Sequence, residues 1–242
     1  MRQSRIYTPQ VLAKEEKVQL TGSACHYLSR VLRLSAGDSV ALFNGDGRDY
    51  SGEICDVQRQ AVTVNLIASR IPENESSLKI TLVQAISRGE RMDHSLQKAT
   101  ELGVYCIQPV TSQRVEVRLD EKRRAKRMAH WQGVVISACE QSGRAVVPDV
   151  KAPVCLDEWL KSSEGLTRLV LDPTAKTRLS SLSMTTDAIS VVVGPEGGFS
   201  DEEMKDLRMG GVKEVSLGPR VLRTETAGPA VMAVLQTVCG DF

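Results

Sequence analysis

The stretch that most constrains the fold is Ile189-Ser190-Val191-Val192-Val193, which runs straight into Gly194-Pro195-Glu196-Gly197-Gly198-Phe199. A nearly unbroken apolar run suits a strand buried on both faces, and such strands belong to parallel sheets covered by helices. After the glycine loop, Ser200-Asp201-Glu202-Glu203 reads as a capping box, opening a helix that stops at Gly210-Gly211. The same order then returns. Val212 to Leu217 reads as a strand, and Gly218 to Ala227 as a second loop. Ala227 to Val238 reads as the last helix, with Pro229 in its first turn and Thr224 and Thr226 available as caps.

Strands and helices alternate from Leu78 onward. Lys79 to Ala85 reads as a strand, and Met92, Leu96, Ala99 and Leu102 mark a helix face ended by Gly103. A strand near Cys106 to Val110 follows. A helix over about 120–142 carries Met128, Trp131, Val135 and Ala138 on one stripe, and Leu169-Val170-Leu171 is the next strand. This order predicts a mainly parallel sheet with helices on both faces. Residues 1 to about 70 differ. Val40 to Phe43 leads into Asn44-Gly45-Asp46-Gly47, a hairpin signal, with return strands near Tyr50 to Ile54 and Gln60 to Ile67. One helix, with Leu28, Val31 and Leu32 at i, i+3, i+4 spacing, interrupts them, and the whole suggests a small β-barrel. The polar, proline-containing segment after Ile71 is the best linker. The expected domains are therefore 1–71, a linker at 72–77, and 78–242.

Composition narrows the function classes. Formal net charge is +1, so any nucleic-acid surface must be local. The six cysteines form no C-x-x-C and no metal-spaced cluster, so no metal is expected and free thiols in a reducing cytoplasm are the simplest reading. The first residues lack an apolar signal region, and no stretch is long and apolar enough to span a membrane. Three histidines, His26, His94 and His130, pair with no nucleophile at an informative spacing.

Both glycine loops lie at carboxyl ends of strands, where open α/β sheets bind ligands. The first lacks the spacing of a dinucleotide fingerprint and the lysine of a triphosphate loop. Taken singly, the first also fits a tight β–α turn and the second a capped helix with two surface arginines. The segment 113–130 carries seven basic residues (Arg114, Arg118, Lys122, Arg123, Arg124, Lys126, Arg127) against three acidic ones. It fits either a phosphate-tracking helix or a solvated face.

Four segments, taken in order, carry a resemblance. They are Gln97-Lys98-Ala99-Thr100-Glu101-Leu102-Gly103-Val104, Ala138-Cys139-Glu140-Gln141-Ser142-Gly143-Arg144, the loop 194–199 and the loop 217–227. Together with His26 to Leu34 they resemble the ribosomal RNA small subunit methyltransferase E family, of the SPOUT class of knotted methyltransferases. Cys25 stands where many members carry a second histidine.

The resemblance implies an N-terminal PUA-like barrel, a C-terminal trefoil-knot domain, S-adenosylmethionine as methyl donor and a homodimer with active sites near its interface. It implies methylation of N3 of one uridine in 16S rRNA of the 30S subunit, uridine 1498 in standard rRNA numbering. A sulfonium donor is already activated, so the protein must position it and ease loss of the N3 proton. Leu171, Gly194, Glu196, Gly197, Leu217, Gly218, Leu222, Arg223, Glu225, Thr226 and Ala227 are the expected cofactor residues. Glu140, Arg144, Arg114 and Arg220 are the catalytic candidates, with Glu140 and Arg144 sharing a face if the helix passes Gly143. Arg2, Arg5, Arg30 and Arg33, with the basic helix, are the candidate RNA contacts. Two rivals stay open: a non-catalytic RNA-binding assembly factor, and a small-molecule enzyme with another adenosine cofactor.

Overall fold

The computed structural model describes residues 3–114, 121–162, 167–182 and 186–242. Arg2 and Arg118 lie outside them. Cα packing divides the chain into two compact units, Met1–Glu75 with Cys139–Val147, and Ser76–Ala138 with Pro148–Phe242.

In the first unit β1 (Ser4–Tyr7), β2 (Lys17–Thr21), β3 (Ser39–Phe43), β4 (Asp49–Val57) and β5 (Ala61–Arg70) form a sheet in the order β1-β3-β4-β5-β2. The glycine hairpin joins β3 and β4 as an antiparallel pair with Leu42 opposite Tyr50, while β1 runs parallel to β3. Ile6, Leu20, Leu42, Ile54, Val64 and Leu66 fill the core of this unit. The helix α1 (Gly22–His26) continues as a π turn over Tyr27–Val31, closed by Leu32 N–H donating to the Tyr27 carbonyl at 2.9 Å. This wider winding corrects the expected apolar face: Leu28 is buried, but Val31 turns out to 56% exposure.

The second unit holds one parallel sheet. Its strands are β6 (Lys79–Ala85), β7 (Cys106–Thr111), β8 (Asp149–Val150), β9 (Val154–Cys155), β10 (Thr167–Leu171), β11 (Ala188–Val193) and β12 (Lys213–Val215). The order is β12-β10-β11-β6-β7-β8, with β9 also paired to β7, and every pairing is parallel. The central strands β6 and β11 are the most apolar, as burial on both faces requires. Along β6, Val83 and Ala85 pack on one face with Leu156 and Trp159 of α4 (Leu156–Ser162) and Leu207 of α5 (Asp201–Met209). Leu82 and Gln84 point the other way, towards Gly228 of α6 (Thr224–Cys239). Helices therefore cover both faces.

The helix α2 (Glu90–Glu101) ends with Gly103 at φ +80°, and α3 (Glu121–Ser142) ends before Gly143 at φ +91°. The two-residue strands β8 and β9 and the helix α4 were absent from the sequence reading. The last helix begins at Thr224, three residues earlier than expected, so Pro229 lies inside it and removes the donor that the Glu225 carbonyl would have used.

Candidate functional site

The two glycine loops meet at the carboxyl ends of β10, β11 and β12. The first is a turn closed by Gly198 N–H donating to the Pro195 carbonyl at 2.9 Å, with Gly198 at φ +67°. A capping box then starts α5: the Ser200 hydroxyl accepts from Glu203 N–H at 3.2 Å, and the Glu203 carboxylate accepts from Ser200 N–H at 2.8 Å. In the second loop Gly218 sits at φ +154°, and a Cβ there would point into open space.

The expected threonine caps do not form. Arg223 occupies the N-cap position without a side-chain cap bond. Thr224 is buried and donates its hydroxyl to the Gly194 carbonyl at 2.7 Å, while accepting from Gln84 Nε2 at 3.0 Å. The hydroxyl is thus spent on joining the second loop to the first and to β6.

Between the loops lies a cavity of about 820 Å³, within the usual range for a small-molecule site. Leu171, Gly194, Glu196, Leu217, Gly218, Leu222, Arg223, Glu225 and Ala227 line it, as does Arg220. Two other expected cofactor residues lie off its wall. Gly197 faces a neighbouring concavity with Arg114, and Thr226 is exposed on the helix. Sequence reasoning missed Asp172, Thr174 and Arg91. The Asp172 carboxylate accepts from Thr174 N–H and Oγ1, both at 2.7 Å, and so shapes the rim after β10. The Asp172-Pro173 turn after the strand was the available signal.

Charge at the rim is organised by Arg91, from the first turn of α2. Its guanidinium donates to Glu196 at 2.9 Å and lies 3.9 Å from Glu225. Burial raises the Glu196 pKa. Hydrogen bonds from its own backbone, from Arg91 and from the Arg88 backbone outweigh that and hold it below the usual carboxylate range. Oε2 of Glu225 is buried without a hydrogen-bond partner.

The remaining candidates sit elsewhere. Helix α3 stops at Ser142, so Gly143 ends it and the condition for Glu140 and Arg144 to share a helix face is not met. The Glu140 carboxylate accepts from Tyr7 N–H at 3.0 Å, and burial raises its pKa. Arg144, with its side chain 6% exposed, pairs with Glu75 at 2.6 Å. Arg5 is also spent within its unit: it pairs with Asp49 at 2.5 Å, donates to the carbonyls of Cys139 and Arg144, and lies 4.6 Å from the centre of the Phe43 ring. It braces this unit instead of offering a cation to solvent. Arg30 and Arg33 are exposed, with Arg33 in the left-handed region at φ +55°. Burial pushes the Cys139 thiol up to about 12, as suits an inert core thiol. Among the described residues no metal-binding cluster occurs and no helix is long and apolar enough to cross a membrane.

A parallel sheet with two glycine loops around one cavity, in a chain that also carries a small β unit, defines an α/β ligand-binding class. Residues 74–236 match the RNA methyltransferase domain family, and residues 20–67 match the RNA methyltransferase PUA domain. More narrowly, the chain belongs to the ribosomal RNA small subunit methyltransferase E family. It is 34% identical over 239 residues to that enzyme from Buchnera aphidicola subsp. Schizaphis graminum, covering 98% of this chain and 97% of the relative. The Neisseria gonorrhoeae enzyme of the same name, solved bound to S-adenosyl methionine, superposes with a TM-score of 0.94 at 39% identity. A methyltransferase of Legionella pneumophila, solved with bound SAM, gives 0.96 at 38%. Each of these two structures covers, and is covered by, 100% of the chain.

Proposed function

We propose that this chain transfers the methyl group of S-adenosylmethionine to N3 of a uridine in 16S rRNA, uridine 1498 in the standard numbering. The observation that carries the reading is the cavity between the two glycine loops. Its size suits an adenosyl ligand. The partnerless buried oxygen of Glu225 suits a ligand that carries positive charge. Relatives at 38% and 39% identity are solved with this cofactor bound.

S-Adenosylmethionine supplies an electrophilic methyl on a sulfonium. In the transfer an N3–carbon bond forms, the sulfur–carbon bond breaks with its electrons kept on sulfur, and the N3 proton leaves to water. The chain's own part is to bind, orient and balance charge. Leu171, Leu217 and Leu222 wall the cavity, and Gly194 and Gly218 let backbone groups approach the ligand. Against burial, backbone N–H groups and Arg91 hold Glu196 below the usual carboxylate range, so it serves at the rim as a balancing charge. Stabilising the developing imide charge falls to the rim arginines Arg91 and Arg220.

The reading extends to the family's other features. Residues 1–71 hold RNA with Arg30 and Arg33, 72–77 link, and 78–242 transfer the methyl in the cytoplasm. The C-terminal domain is a trefoil knot. In support, Leu179 N–H donates to the Ser216 carbonyl and Ser216 N–H to the Thr177 carbonyl, both at 2.9 Å, so the segments after β10 and β12 are laced together beside the cavity. The chain works as a homodimer, which a solution mass of twice the chain's would support.

The deciding experiment supplies labelled S-adenosylmethionine with naked 16S rRNA and with assembled small subunits, and maps the product by mass spectrometry. Methyl at one uridine N3 is expected. No transfer to either substrate would overturn the reading.

A further inference from the structure

We propose that the concavity next to the cofactor cavity, lined by Arg88, Arg91, Gln113, Arg114, Glu196 and Gly197, receives the target uridine nucleotide. The inference rests on the function proposed above and adds where the substrate sits.

Three observations support it. First, the concavity is about 650 Å³ and shares Arg91 and Glu196 with the cofactor cavity, so the two sites have a common wall. A methyl acceptor must lie beside its donor with the reacting atoms about 3–3.5 Å apart, which only adjoining sites allow. Second, three arginines and one glutamate line the concavity, with Glu202 and Glu203 bonded behind to Gln113, in a chain whose net charge is only +1. The local excess favours an anion. Third, the cations are braced by the chain itself. Gly89, at φ +55°, turns the backbone between Arg88 and Arg91 so that both line the same concavity. Arg114 donates from Nη1 to the Gly197 and Phe199 carbonyls at 3.0 and 3.2 Å, which ties it to the first cofactor loop. A Cβ at position 197 would lie 3.5 Å from Arg114 Cβ.

A uridine losing its N3 proton spreads charge over two carbonyl oxygens beside the nitrogen and carries a phosphate close by. The guanidinium fork matches both groups. Arg91, on the shared wall, holds the imide charge. Arg88 and Arg114, on the walls away from the cofactor, hold the phosphate.

The test uses the full chain with Arg88→Ala, Arg88→Glu and Arg88→Lys. Arg88 does not line the cofactor cavity, so calorimetric affinity for S-adenosylhomocysteine is expected to stay within about twofold, well under the cost of a lost charged hydrogen bond. In single-turnover methylation at saturating cofactor, the small-subunit concentration giving half-maximal rate is expected to rise roughly tenfold in the alanine variant. The rise should be larger in Arg88→Glu and partly reversed in Arg88→Lys. Uridine 5′-monophosphate should bind the wild type and not Arg88→Glu, read by ligand-observed NMR with S-adenosylhomocysteine present. Subunit affinity and rate within twofold of wild type in both Arg88→Ala and Arg88→Glu would overturn the proposal. If the wild type transfers no methyl at all, the functional reading falls. Equal nucleotide binding by wild type and Arg88→Glu would then reject the pocket separately.

Discussion

The Thr224 hydroxyl donates to the Gly194 carbonyl at 2.7 Å while accepting from Gln84 Nε2 at 3.0 Å. One buried side chain thereby joins the end of β11, the middle of the sheet and the start of α6. Gln84 Oε1 has no partner of its own, so the amide depends on its nitrogen side for orientation. The geometry of the cavity rests on this three-way junction.

Thr224→Val keeps the shape and deletes the hydroxyl. The Gly194 carbonyl and the Gln84 amide both lose a partner in a dry environment, a cost of about 1–3 kcal/mol in stability. Affinity for S-adenosylmethionine should fall with it, because the loops lose their common anchor. Thr224→Ser retains the bond and should stay near wild type. Denaturant unfolding together with calorimetry separates the two variants.

Arg144 and Glu75 form a 2.6 Å pair in which the arginine is almost wholly buried. Removing the carboxylate takes a charged partner from a buried cation, so Glu75→Ala should lower stability by about 1–3 kcal/mol. If Arg144 is a brace and not a catalyst, that variant, assayed below its unfolding temperature, should still bind cofactor with wild-type affinity. A loss of cofactor affinity in fully folded protein would give the pair a role at the site.

Much of this was legible in the chain because it is local. The runs at β6 and β11, the capping box at Ser200 and the stop at Gly103 each depend on residues a few places apart. The cavity wall was readable for the same reason, since loops after buried strands of a parallel sheet converge at one edge. Partners far apart in sequence were not readable. Nothing near Arg5 shows that it will pair with Asp49, 44 residues on, so it reads as a surface cation. Arg144 meets Glu75 across 69 residues, and Arg91 meets Glu196 across 105. The strands β8 and β9, at two residues each, are too short to show an alternation.

Arg91→Ala should change how stability depends on pH. Glu196 has a folded pKa below its ordinary value, so its ionisation adds stability above the usual carboxylate range. That contribution is lost as pH falls through the depressed folded pKa. Arg91 is one of the groups that depress it, so the variant should be less stable than wild type near neutrality, and the gap should close on acidification. The partial exposure of the pair, 47% and 36%, keeps the effect small. Thermal unfolding of both proteins from acid to neutral pH shows whether the curves converge. A gap that stays constant would mean Arg91 acts on stability without Glu196.

Glu140 presents the opposite sign. Burial raises its pKa, so the folded state favours the protonated form, although Tyr7 N–H and Arg5 pull the other way. As pH rises from below its ordinary value to above its raised folded value, the unfolded chain releases this proton more readily, and stability falls across that window. Glu140→Gln keeps an oxygen to accept from Tyr7 N–H and carries no charge to desolvate. Its stability relative to wild type should therefore improve as pH rises through the window and level off above it. Glu140→Ala should instead lose about 1–3 kcal/mol, because the Tyr7 N–H is left without its acceptor. The same two variants decide whether this carboxylate is a base. A general base replaced by an amide should cost roughly a hundredfold or more in single-turnover rate, whereas a brace should leave the rate of Glu140→Gln near wild type.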